Sequence, residues 1–119
     1  MVLALAGAAL ALFGVGCGKN DIEVKSRGAQ LFAQRCSGCH TLKAAGAQGS
    51  ISGQPPTGPN LNKRKLSKGE ALYAIRNGGF SGAIMPQNIV VGSDAEKVAA
   101  FVAKYSGKDA KAPPSPRGP

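Results

Sequence analysis

Apolar positions along the chain fall into three regimes, and each predicts a different kind of element. Residues 1–16 are apolar on every side, and charge begins only at Lys19. From Val24 the pattern becomes helical. Val24, Gly28, Leu31, Phe32 and the stem of Arg35 recur on one stripe, with Lys25, Arg27, Gln30 and Gln34 on the wet side. A glycine inside such a helix costs about 1 kcal/mol relative to alanine. Gly28 therefore predicts the close crossing of another helix. The stretch from Ala44 to Asn60 is dense in Gly, Pro, Ser and Gln and predicts loop rather than helix or strand. Structureless loops of that length are usually functional or mobile, and this one could wrap the histidine side of a bound group. Ser67-Lys68-Gly69-Glu70 is a capping box opening a helix with Ala71, Leu72, Ala74 and Ile75 inward, which stops at Asn77-Gly78-Gly79. Ser93-Asp94-Ala95-Glu96 is a second capping box, predicted to open a last helix with Val98, Phe101, Val102 and Tyr105 on one face, closed by Gly107. No alternating strand pattern and no repeat is present. The expected fold class is all-α, three to four helices with long Gly/Pro-rich loops. The domain spans 24–106, preceded by a short linker over 18–23 and followed by a disordered Pro/Lys-rich tail over 107–119.

The leading apolar run is short for a membrane-spanning helix, which needs about 20 residues, and suits the apolar core of a secretion signal. Gly14-Val15-Gly16-Cys17 resembles the lipobox of bacterial lipoproteins, which implies lipidation at Cys17. Lipid anchoring, an uncleaved anchoring helix and simple secretion remain open. All three place the domain on the extracytoplasmic face of the membrane.

Composition sharpens this picture. At 119 residues, with 5% aromatics and no Trp, a chain with these appendages builds only a marginal apolar core. A large, flat, covalently held cofactor would supply the missing centre. The net charge of +9 admits nucleic acid or an anionic surface as partner. The absence of a nucleic-acid module and the scarcity of aromatics for stacking on bases argue against the former.

The chemistry sits in Cys36-Ser37-Gly38-Cys39-His40. Two thiols three positions apart, followed at once by an imidazole, form the attachment pattern of a c-type haem. The sulfurs add to the two vinyl groups, and the histidine donates a ring nitrogen to the iron. A thioredoxin-type dithiol would need a strand-helix-strand setting, which is absent. Zinc would need four ligands, and the remaining thiol, Cys17, belongs to the anchor segment. With His40 in one axial position, Met85 is the candidate for the other. It lies in a glycine-rich loop, Pro86 fixes the turn after it, and the chain has no second histidine. A thioether is a soft donor that raises the reduction potential.

With those residues in order, the chain from about residue 22 to 106 resembles class I cytochrome c, particularly the small bacterial monohaem type. The resemblance is carried by Gly28-Ala29-Gln30-Leu31-Phe32 ahead of the haem motif and by Gly58-Pro59-Asn60-Leu61. Ile75-Arg76-Asn77-Gly78, Met85-Pro86 and the helix from Val98 to Tyr105 complete it. It implies a haem c wrapped by the helices, and crossed first and last helices with Gly28 and Phe32 meeting Phe101 or Tyr105. It also implies a Pro59 carbonyl that accepts a hydrogen bond from His40, and Leu61 packed on the haem. The function expected is single-electron transfer between a quinol-oxidising complex and a terminal oxidase, by a monomer rather than an enzyme. Lys63, Arg64, Lys65 and Lys68, with Lys97 and Lys104, form either an ordinary solvated surface or a docking face for acidic partners. The alternatives are a haem enzyme or gas sensor with an open site, and a haem-bearing subunit of an oxidase assembly.

Overall fold

The computed structural model describes residues 25–50, 55–80 and 84–110. The expectations for Val24, the apolar leader, Cys17, the linker and the tail beyond 110 lie outside them. Among the described residues no helix is long and apolar enough to cross a membrane.

Three helices form the frame: α1 (Arg27–Arg35), α2 (Lys68–Asn77) and α3 (Gly92–Tyr105), with α3 packed against both others. Helix α1 is capped by the Ser26 side chain, which accepts from the Ala29 amide at 3.1 Å. It buries Gly28, Ala29, Leu31 and Phe32. The close crossing expected at Gly28 is present. A Cβ there would lie 2.5 Å from the Lys97 carbonyl oxygen and 2.8 Å from the Phe101 Cβ, so only glycine lets α1 and α3 approach. Phe32 meets Phe101 at a ring-centroid distance of 6.1 Å, and Phe101 meets Tyr105 at 5.0 Å, both tilted.

The capping box of α2 is complete: Ser67 Oγ accepts from the Glu70 amide and a Glu70 carboxylate oxygen accepts from the Ser67 amide. These bonds hold the Glu70 carboxyl below its ordinary value. The second box does not form. Helix α3 starts at Gly92 with Val91 as its cap and no side-chain bond at the cap. The residues of the supposed box are taken by neighbours. Asp94 pairs with Arg27 at 3.0 Å, tying α3 to α1, while Glu96 pairs with Lys68 at 2.8 Å and Arg76 at 3.3 Å, tying α3 to α2.

Two further expectations need correction. The chain after the haem motif is not pure loop, so the fold is not strictly all-α. Strands β1 (Thr41–Leu42) and β2 (Ala47–Gln48) pair antiparallel around a 3-10 turn at Lys43–Ala45, and Thr41 Oγ1 donates to the Gln48 carbonyl at 3.0 Å. Two-residue strands are too short to show alternation. Residues 107–110, assigned to the tail, are folded back on the domain. The Gly107 amide donates to the Leu61 carbonyl and the Asp109 amide to the Asn62 carbonyl, each at 2.8 Å, and Lys43 pairs with Asp109 at 2.8 Å.

Candidate haem site

The end of α1 turns directly into the motif. The Cys36 amide donates to the Phe32 carbonyl at 2.8 Å, and the Cys36 carbonyl accepts from the Cys39 and His40 amides at 3.1 and 2.9 Å. One tight turn therefore presents both thiols and the imidazole. Cys36 is buried and Cys39 exposed, and no disulfide joins them. Burial, followed by the neighbouring Cys39, pushes the Cys36 thiol up to about 12.

His40 is held by the segment around Gly58 and Pro59. Its Nδ1 lies 3.0 Å from the Pro59 carbonyl oxygen. A carbonyl only accepts, so Nδ1 carries the hydrogen and Nε2 keeps its lone pair for a metal. Gly58 completes the seat. A Cβ there would fall 2.6 Å from His40 Cε1 and 2.7 Å from Nδ1, so the ring rests against bare backbone. Sequence reasoning gave Gly58 no role, since the close approach arises only when residues 58–62 run alongside the motif.

Met85 reaches the same site from the connection between α2 and α3. That connection is pinned to the end of α2: the Asn88 amide donates to the Ile75 carbonyl at 2.8 Å, and Gly78 backs directly onto the Met85 carbonyl. Met85 is half-buried against the core. A cavity of about 440 Å³ is lined by Cys36, Cys39, His40, Pro59, Leu61 and Met85 together, so every haem-site residue expected from the sequence meets there. Its volume lies within the roughly 300–1,000 Å³ usual for cofactor sites. The rest of the lining is mainly apolar, from all three helices and the connections between them.

The donor set fits a haem. Two thiols, an imidazole with its Nε2 free and a thioether share one apolar cavity, while the described residues hold no cluster of His, Cys, Asp or Glu suited to a bare metal ion. Arg35 and Arg64 are the cations of the lining, and neither was expected there. At the rim, Arg64 lies over the Phe80 ring at 5.1 Å, Phe80 stacks on Tyr73 at 5.9 Å, and Ile84 is 94% exposed. The structure divides the expected basic run. Lys63 and Arg64 face solvent, Lys65 Nζ donates to the Ala103 carbonyl, and Lys68 is engaged by Glu96. Lys97 pairs with Asp94 at 3.5 Å, and Lys104 lies over Tyr105.

Three helices around such a cavity, with this motif at its wall, define a class I monohaem c-type cytochrome, an electron-transfer protein with covalently bound haem c. Residues 23–102 match the family described as cytochrome c oxidase, cbb3-type, subunit III, and the chain belongs to that family. It is also similar to the crystal structure of the c-type cytochrome SorU from Sinorhizobium meliloti. The identity is 33% and the TM-score 0.55, over 69% of this chain and 90% of that one. No curated protein sequence matches it.

Proposed function

We propose that the protein is a single-electron carrier, not an enzyme, whose haem is joined by thioethers to Cys36 and Cys39 and held axially by His40 and Met85. The observation that carries this reading is the convergence of both thiols, His40 and Met85 on one apolar cavity. Bound there, the haem supplies a one-electron iron couple. The chain's own residues set its character. The bond to Pro59 makes His40 a stronger donor. The Met85 thioether favours ferrous iron, and the apolar lining disfavours the extra charge of the ferric state, so both raise the potential. With ligands from both His40 and Met85, little would rearrange when an electron moves. Pro59 and Leu61 shape the histidine side of the pocket.

The partners in this reading are membrane respiratory complexes, a quinol oxidiser and a terminal oxidase, met by a monomer at the extracytoplasmic face. The support is the net charge of +9 and the exposed Lys63 and Arg64 beside the cavity rim. The lipobox-like Cys17 would tether the domain there, raising its effective concentration near such partners. The family match favours a second reading, a haem-bearing subunit within an oxidase assembly, which differs in residence rather than in chemistry.

The ligand assignment is tested by Met85→Ala. The oxidised protein should lose its weak sulfur-to-iron charge-transfer band and begin to bind added imidazole. A band that survives the substitution removes Met85 from the iron. Mass spectrometry of the mature protein tests attachment at Cys36 and Cys39 and lipidation of Cys17 together.

A further inference from the structure

Asn62 is one of only two polar residues buried in the core of the described structure, with 4% of its surface exposed. It sits where three segments meet. Its side-chain Oδ1 accepts from the Lys43 amide at 2.9 Å, its amide donates to Asn60 Oδ1 at 3.0 Å, and its carbonyl accepts from the Asp109 amide at 2.8 Å. The same side chain closes a ladder between residues 58–62 and 39–43. The other rungs are Gly58 amide to Cys39 carbonyl and Leu61 amide to Thr41 carbonyl, both at 2.9 Å, with a parallel bridge between Thr41 and Asn60. His40 and Pro59 lie between these rungs, and their bond at 3.0 Å is the only rung that reaches an axial ligand.

A ladder of backbone bonds sets register only if its end cannot slide. Proline has no amide to give, so the His40–Pro59 bond depends on its neighbouring rungs for placement. At one end the ladder is fixed by the haem motif itself. At the other end a backbone partner for the Lys43 amide is replaced by the Asn62 side chain, and the Asn62 backbone is held in turn by the Asp109 amide on its carbonyl.

From this we infer that Asn62 is a positioning residue for His40: it locks the register of residues 58–62 against 39–43 and so holds the Pro59 carbonyl on Nδ1. The inference rests on His40 ligating the iron. Loosening the bond makes the imidazole a weaker donor, which destabilises the ferric state relative to the ferrous.

The test compares wild type, Asn62→Ala, Asn62→Asp and Ala95→Gly, all as holoprotein. Ala95→Gly is an α3 variant that lowers thermal stability without touching the ladder. The readouts are solvent exchange of the His40 Nδ1 proton by NMR and the reduction potential. Asn62→Ala should exchange that proton at least tenfold faster and shift the potential upward. A tenfold change in the ferrous-to-ferric preference corresponds to about 59 mV for one electron. Asn62→Asp retains the acceptor and should exchange as wild type does; its added charge makes exchange, not potential, its readout. Slow exchange in Asn62→Ala, fast exchange in Asn62→Asp, or equal acceleration in Ala95→Gly would each overturn the inference. If Asn62→Ala does not accumulate with haem, Asn62→Ser carries the same two readouts, because its shorter side chain stops short of the Lys43 amide. A wild-type spectrum without histidine ligation would instead sink the functional reading on which this rests.

Discussion

Gly78 couples the end of α2 to Met85, and Gly78→Ala tests that coupling quantitatively. The residue has φ +75° at the helix C-terminus, where an L side chain costs about 1–2 kcal/mol. An added Cβ would also stand 2.7 Å from the Met85 carbonyl oxygen, whereas ordinary contact begins at 3.4 Å. One of the two must therefore move by about 0.7 Å, the difference between those distances. The Gln87 Cγ at 3.1 Å closes one direction of escape. Strain and displacement together should cost at least about 2 kcal/mol, on the order of 10 °C in melting temperature for a domain this size. Because the displaced atom belongs to Met85, the sulfur-to-iron charge-transfer band should weaken as well. Gly69→Ala is the control. A Cβ there meets nothing nearer than the Ser67 Oγ at 4.0 Å, so the band should be untouched and the helix stabilised by up to about 1 kcal/mol. Denaturant unfolding of the holoproteins gives the stabilities, and the oxidised spectrum gives the band. Wild-type stability and an undiminished band in Gly78→Ala would refute the idea that α2 positions Met85.

Three further outcomes follow from the same contacts. Gly28→Ala should lose about 1–3 kcal/mol by overpacking against Lys97 and Phe101, seen as a lower denaturant midpoint with the spectrum retained. Acid should loosen the helix frame. Hydrogen bonds and charge from Arg27 and Lys97 lower Asp94, and those from Lys68 and Arg76 lower Glu96. A carboxyl lowered in the folded state stabilises it above the ordinary values of 3.8 and 4.5, and that contribution is lost as pH falls through the lowered ones. Melting temperature should thus hold steady above those values and decline below them, with a shallower decline in Glu96→Gln. An identical decline would remove Glu96 from the account. Electron transfer to an acidic partner should slow as salt shortens the screening length below about 8 Å, and Arg64→Gln should flatten that dependence.

Much of this frame is legible in the sequence because its signals are local. The Ser67 box and the glycine stop of α2 are written in consecutive residues, and the clash that requires glycine at position 28 shows as a breaker within a good helical stripe. The haem motif is equally local, since one helical turn places both thiols and the imidazole. Where the sequence misled, a distant partner outcompeted a local one. Glu96 could have closed a box with Ser93, but Lys68 and Arg76 offer charge that a backbone amide cannot. The short ribbon at Thr41–Leu42 escaped notice because two residues on each strand are too few to show alternation. Gly58 and Asn62 carry no local signal at all. Their roles exist only once residues 58–62 lie beside 39–43, a juxtaposition across the loop that the Gly-Pro dipeptide hints at and does not specify.

Ligation by both His40 and Met85 would make the site an electron relay rather than a reaction chamber. Exposure of the dithionite-reduced native protein to carbon monoxide tests it most directly. The spectrum should be low-spin and unchanged by carbon monoxide; a rapid shift of the Soret band on mixing would show an open iron instead.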